Sequence, residues 1–220
     1  MGRKRIAITM GDPAGIGPEV VVKALAEKSV YEKCIPVVIG DYEALRDAIC
    51  FSDLNLGLKE VEDFEEAVGE FGVVEYVNLN YLKPDSWKYK ENSVICGEAS
   101  FQYVIHGIRL AMEGKAAAVI TAPISKESIN MAGHHYSGHT EIFAEYTGTR
   151  DYAMLLASGN LRVIHVTTHC ALIEACRLIR RERVLKVIKL ADRACKMLGI
   201  EKPKIGVAGL NPHCSDRRGQ

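Results

Sequence analysis

Short apolar, β-branched runs alternate along this chain with longer segments whose apolar positions return every three to four residues, the alternation expected of strands and packed helices. Residues 5–10 form the first such run, ended by Gly11. Pro18 then opens a helical pattern over 19–28, where proline in the first turn forfeits no hydrogen bond. Residues 35–39 repeat the strand signal, Gly40 ends it, and Asp41 is placed to cap a helix reaching Ile49. Residues 51–70 carry no decisive period, 71–78 read as a loose strand, and 81–93, with Pro84, read as an excursion between elements. Helical spacing over 97–114 through Phe101, Val104, Ile105 and Ile108 predicts a long helix packed on the sheet, with His106 as a structural residue. A strand at 116–121 follows. Ser125 then caps a short helix through Asn130, a loop runs over 133–138, and His139-Thr140-Glu141 opens the next helical segment. Two strands at 152–157 and 161–167 meet through Ser158-Gly159-Asn160 as a hairpin. Helices at 171–180 and 182–198, stopped by Gly199, lead to a last strand at 204–210.

This order predicts an α/β fold with a mostly parallel sheet and one antiparallel pair. The pattern changes from regular alternation to loop, helix and hairpin near 125–138, which places the boundary between an N-terminal domain, 1–128, and a second domain, 129–220. Lys plus Arg and Asp plus Glu both number 28, so no charge footprint for nucleic acid or an anionic membrane is present. The seven cysteines are scattered without a CxxC pair, which suits reduced thiols and a cytoplasmic setting. No stretch is apolar enough for a signal peptide or a membrane span.

Candidate chemistry concentrates in 119–141, where a short strand runs into His134, His135 and His139 among small polar residues. There His139 and Thr140 stand at a helix start, whose unpaired N–H groups and dipole favour an anion; a polar turn with Thr140 as a cap is the plainer alternative. Lys126 could hold an anionic substrate or cofactor, or be a solvated lysine at a helix start. His169 closes the run LRVIHVTTH and His213 follows KIGVAGL, both at the C-terminal ends of strands, the edge where open α/β sheets bind ligands. Two such histidines could ligate a divalent metal, or never meet. The turn from Gly11 to Pro18 holds three glycines and Asp12 but matches neither G-x-G-x-x-G nor a P-loop, so a tight structural turn competes with an anion or cofactor contact.

Taken together, MGDPAGIGPE, TAPISKE, SGHTE, the TTH of 167–169 and the GLNPH of 209–213 resemble the 4-hydroxythreonine-4-phosphate dehydrogenase family, five motifs in one order over nearly the whole chain. The resemblance implies a two-domain fold similar to isocitrate and isopropylmalate dehydrogenases, with the active-site cleft between the domains and NAD bound without a Rossmann fingerprint. It also implies a homodimer and a divalent metal (Zn, Mg, Mn or Co) at each active site. Under it, His139 and Thr140 contact a small phosphorylated hydroxy-acid substrate, and His169 and His213 are two of three metal ligands. HHYSGHTE with LRVIHVTTH is closer to the branch acting on 4-phospho-D-threonate or 4-phospho-D-erythronate, which yields dihydroxyacetone phosphate. The branch that oxidises 4-hydroxythreonine 4-phosphate in vitamin B6 biosynthesis is the alternative.

Family members continue past the GLNPH motif with a segment that carries the third metal histidine and further substrate residues, whereas this sequence reads CSDRRGQ there. The resemblance therefore leaves the third metal ligand unassigned in this chain, and exposed apolar sheet edges and helix faces are expected. Two other readings compete with the dehydrogenase: a non-catalytic remnant or interaction module, and a histidine-rich metallohydrolase, for which no separate nucleophile or base is found.

Overall fold

The computed structural model describes residues 2–211. These divide into two compact units, Met1–Thr149 and Arg150–Gln220. The division falls after the helix that begins at His139, while the sequence pattern placed the boundary at 128/129.

The first unit is built on a five-stranded sheet. Its strands are β1 (Lys4–Thr9), β2 (Cys34–Gly40), β3 (Gly57–Glu60), β4 (Val73–Asn78) and β5 (Ala118–Thr121), in the order β3-β4-β2-β1-β5. Every pairing is parallel, with Ala7 opposite Val37 on one side and Val119 on the other. Neighbouring residues of a strand face opposite sides of a sheet, so Val37, Val38 and Ile39, all 0% exposed, show that β2 is covered on both faces. The covering helices are α1 (Gly17–Leu25), α2 (Lys28–Lys33), α3 (Tyr42–Phe51) and α4 (Val94–Met112). Of these, α1 packs on α3, and α4 lies against β1, β2 and β5. Two further helices, α5 (Lys126–Met131) and α6 (His139–Tyr146), pack on α4, which is why they belong to this unit.

Local chemistry explains several boundaries. Ser93 starts α4 earlier than its apolar spacing suggested, by accepting the Cys96 N–H at 3.3 Å. Ser125 caps α5 in the expected way, accepting from the Ser128 N–H at 3.2 Å. Asp41 does not cap α3. Its buried carboxylate accepts instead from the Tyr81 N–H at 2.8 Å and from the Tyr103 hydroxyl, joining the end of β2 to the 81–93 excursion and to α4. Burial raises the Asp41 carboxyl above its ordinary value, opposed by those hydrogen bonds. The undecided stretch holds the edge strand β3 and a 3-10 turn, Phe64–Glu66, elements too short to print a period on the sequence.

The second unit contains the hairpin β6 (Leu155–Ser158) and β7 (Leu161–Ile164), paired antiparallel with Ser158 opposite Leu161, and the helices α7 (Leu172–Leu178) and α8 (Arg181–Met197). Gly159, at φ +52°, makes the two-residue turn. Along α8 the buried positions are Val187, Ala191 and Cys195, one stripe at four-residue spacing. Arg183 donates to the Tyr152 and Val166 carbonyls at 3.1 and 3.0 Å and so binds α8 to the chain on either side of the hairpin. The expected strand at 204–210 does not form, because among the described residues no strand pairs with it, and apolar character alone supplies no ladder. Apolar surface is exposed on Leu156, Leu161, Leu172, Ile173, Met197 and Val207. The described cysteines are free, and among the described residues no helix is long and apolar enough to cross a membrane.

The tightest helix contact in the first unit is at Gly97 of α4. A Cβ there would lie 1.9 Å from the Ser128 carbonyl oxygen of α5, a distance that backbone cannot relieve without moving. Gly97→Ala is therefore expected to lower the unfolding free energy by about 1–3 kcal/mol, the usual cost of overpacking. Urea unfolding followed by circular dichroism measures this; an unchanged midpoint would show that α4 and α5 can separate freely.

Candidate functional site

The sheet's C-terminal edge brings two of the sequence motifs together. After β1 the chain enters the glycine-rich turn, and after β5 it enters Ala122-Pro123; the Ala122 N–H donates to the Thr9 carbonyl at 3.0 Å and the Asp12 N–H to the Pro123 carbonyl at 2.9 Å. Only glycine fits where these segments touch, since a Cβ on Gly11 (φ +78°) would stand 2.3 Å from the Pro123 oxygen. Asp12 is 5% exposed, and its Oδ1 accepts the Ala14 N–H at 2.9 Å while its carbonyl accepts the Gly15 N–H. The N–H groups of Asp12, Ala14 and Gly15 are thus spent inside the turn, which leaves them no capacity to cradle a phosphate. Burial raises the Asp12 carboxyl above its ordinary value, and the Ala14 N–H opposes the shift.

Beyond Pro123, Asn92 organises the start of α5. Its Oδ1 accepts from the Ser125 and Ser128 hydroxyls at 2.8 and 3.0 Å, and its Nδ2 donates to Glu127 at 2.7 Å. Asn92 lies in the excursion to which the sequence pattern assigned no role, and only its Asn-Ser character hinted at a local polar knot. This knot fixes Lys126, the first residue of α5. The Lys126 amine makes no hydrogen bond or ion pair among the described residues, and its Cε lies 4.0 Å from where a Cβ on Gly138 would be. Gly138 is the residue before α6.

The second part of the site is therefore the beginning of α6. No side chain caps this helix, and its first residues are His139 and Thr140, so Thr140 sits within the first turn and does not act as the cap. His139 is half-buried, and its Nε2 is buried without a hydrogen-bond partner among the described residues. Desolvation holds its pKa below the ordinary 6.5. A neutral imidazole beside free helix N–H groups, with a lysine near the residue before them, is chemistry that can bind an anionic, oxygen-rich ligand without protonating it. Of the expected site residues, His139 and Thr140 open α6, Lys126 lies beside Gly138, the residue before them, and Asp12 lies on the sheet edge.

In the second unit, His169 is exposed in the bend beyond β7, which ends at Ile164 and is shorter than the run LRVIHVTTH suggested. Its φ is +53°. His213 lies outside the described residues. Among the described residues no group of three or more His, Cys, Asp or Glu is placed to hold a metal ion, so these residues by themselves do not make a metal centre.

Residues 32–219 match the family described as pyridoxal phosphate biosynthetic protein PdxA. The chain belongs to that family. A relative from Oceanobacillus iheyensis that carries the provisional name D-threonate 4-phosphate dehydrogenase is 46% identical over 212 residues, 96% of this chain and 64% of its own length. Two solved structures, both titled 4-hydroxythreonine-4-phosphate dehydrogenase, superpose closely. The one from Burkholderia phymatum has a TM-score of 0.88 at 41% identity, covering 98% of this chain and 65% of that one. The one from Klebsiella pneumoniae has a TM-score of 0.89 at 37% identity, covering 97% and 64%. The α/β fold with its mainly parallel sheet is the fold of these proteins. The chain spans about 64% of the length of the curated relatives it matches.

The depressed His139 pKa has a thermodynamic consequence. Because the folded state binds this proton more weakly than the unfolded state, stability is complete above the unfolded value of 6.5 and is lost as pH falls toward the folded value. NMR titration of the His139 imidazole should give a midpoint below 6.5, and added inorganic phosphate should move it upward by favouring the charged ring. A midpoint at or above 6.5 in the free protein would contradict the buried, unpartnered nitrogen.

Proposed function

We propose that this chain is the corresponding part of an NAD-dependent, divalent-metal-dependent dehydrogenase that oxidises and decarboxylates a 4-phosphorylated 3-hydroxy acid. The observation that carries the reading is the uncapped start of α6, where His139 Nε2 is buried without a partner among the described residues and Lys126 Cε lies 4.0 Å from a Cβ built on Gly138, in a chain of the PdxA family. In this reading His139 and Thr140 bind the substrate's oxygens, and Lys126 screens its negative charge. Keeping His139 neutral lets it donate or accept a hydrogen bond without adding a charge that would hold the anionic product. Asp12 contributes through the turn it stabilises at the edge of the sheet, and not as an anion contact, because its Oδ1 is held by the Ala14 N–H inside that turn. His169 and His213 are two ligands of the metal, and the described residues supply no third.

The substrate we favour is 4-phospho-D-threonate or 4-phospho-D-erythronate, giving dihydroxyacetone phosphate. Support comes from the name carried by the 46% identical relative. The titles of the superposed structures favour the second reading, 4-hydroxythreonine 4-phosphate, which offers a similar phosphate, hydroxyl and carboxylate. The enzyme in this reading is a cytoplasmic homodimer.

The test is NADH appearance with each of these phosphorylated acids, with and without added divalent metal. Turnover of the threonate or erythronate ester alone supports the favoured substrate, and turnover of the hydroxythreonine ester alone overturns it. Silence with all of them from folded protein overturns the dehydrogenase reading for this chain and favours a non-catalytic role. Where turnover is seen, His139→Ala should reduce kcat/KM by about tenfold to a thousandfold, the range for losing one preorganised hydrogen-bonding group. His169→Ala should abolish the metal-dependent part, and near-normal rates in that variant would sink the metal assignment.

A further inference from the structure

The loop that delivers His139 is held from behind by contacts that neither its sequence motif nor the proposed chemistry accounts for. Gly133, at φ +89°, and Gly138 bound this loop, which joins two short helices, and a loop with such ends has little stiffness of its own. Its first polar side chain, His134, turns onto α4, where Nε2 lies 2.7 Å from Glu98 Oε2. The other oxygen of Glu98 accepts from Gln102 Nε2 at 2.8 Å, one turn along the same helix, so the carboxylate is fixed before it meets the loop. Beneath the imidazole lies Phe101, 2% exposed, with ring centroids 3.6 Å apart and planes 13° from parallel. The same ring stacks on Tyr136 at 5.8 Å and meets the edge of Tyr146 of α6 at 5.9 Å. One aromatic side chain on α4 therefore touches the loop twice and α6 once.

We propose that Glu98 and His134, seated on Phe101, form a positioning tether that fixes the 133–138 loop to α4 and so sets where His139 and Thr140 stand. Glu98 and His134 are positioning residues, since neither reaches the helix start they serve. The consequence for turnover rests on the dehydrogenase reading; the tether itself does not. Around it stand Gln102 from α4, Tyr81 from the 81–93 excursion, Tyr136 within the loop, and Glu145 and Tyr146 from α6, while His135 Nδ1 separately meets Asn130 Oδ1 of α5 at 3.0 Å. The loop is held both by this polar pair and by Tyr136, which packs with Phe101 on the buried cluster of Val104, Ile108, Ile129 and Ile142. The Glu98 and His134 side chains stay 33% and 24% exposed, which lets the loop sit at the surface beside the ligand site while keeping a defined direction.

The test is hydrogen–deuterium exchange on the intact chain and on Glu98→Ala, Glu98→Gln and His134→Gln. Glu98→Ala and His134→Gln should speed exchange at residues 133–142 by about tenfold, as expected for losing one partly exposed charge-assisted bond, with the α4 amides and the urea midpoint little changed. Glu98→Gln keeps an acceptor and should stay within about threefold of the parent. Unchanged exchange at 133–142 overturns the tether, and so does an increase spread over the whole chain with a lowered midpoint, which would mark Glu98 as a general structural residue. Turnover of the phosphorylated acids is measured alongside. With an active parent, Glu98→Ala should raise KM by about tenfold with kcat less affected, and Glu98→Gln should restore it. Local loosening in a parent without turnover supports the tether while overturning the dehydrogenase reading, and turnover with unchanged exchange does the reverse.

Discussion

The close seating of α4 is the constraint on which the first unit depends. This helix spans β1, β2 and β5 on one side and carries α5 and α6 on the other, and it comes within backbone contact of α5 only because residue 97 has no side chain. Seating α4 places Tyr103 against the buried Asp41 at the end of β2, Phe101 under the His134 loop, and Ser93 at the mouth of the 81–93 excursion. Core and candidate site therefore share one support. A shift of α4 would reach both the sheet edge and the start of α6, because close-packed interiors transmit strain and do not absorb it.

Much of this support was legible in the sequence. The alternation of short β-branched runs with longer periodic segments carried β1, β2, β5 and the long α4, since burial on two faces leaves continuous apolar strands and burial on one leaves a helical stripe. Ser125 was readable as a cap because its side-chain chemistry acts within three residues. Asp41 was misread for the opposite reason. The same residue type at a helix start can turn inward, and its partners Tyr81 and Tyr103 are distant in sequence. The stretch at 204–210 shows the corresponding limit for strands, whose existence depends on a neighbour that no local pattern names.

The candidate site divides in the same way. His139, Thr140 and Lys126 could be nominated from their place after a strand and at helix starts, and the structure sets the first two at the start of α6 with Lys126 beside Gly138. Asn92, Glu98 and Phe101 could not, because their contribution consists of contacts with residues far along the chain. For the glycine-rich turn a tight structural turn competed with an anion contact, and its Asp12, Ala14 and Gly15 amides are spent on Pro123 and Asp12 while Gly11 serves a close meeting of two segments. Membership of the PdxA family agrees with the motifs singled out, and the superposed structures share the fold at 37–41% identity.

The solitary nitrogen of His139 has one more implication. With no partner among the described residues, Nε2 has no contact that fixes it as N–H or as a lone pair, and under the proposed function the substrate oxygen beside it makes that choice. A fully ionised oxyanion would draw the N–H form, whereas a hydroxyl or a half-protonated acid would draw the other tautomer. Under the proposed function the start of α6 is thereby sensitive to the protonation of the substrate as well as to its charge, a discrimination that a lysine alone, with three donors and no acceptor, is unable to make.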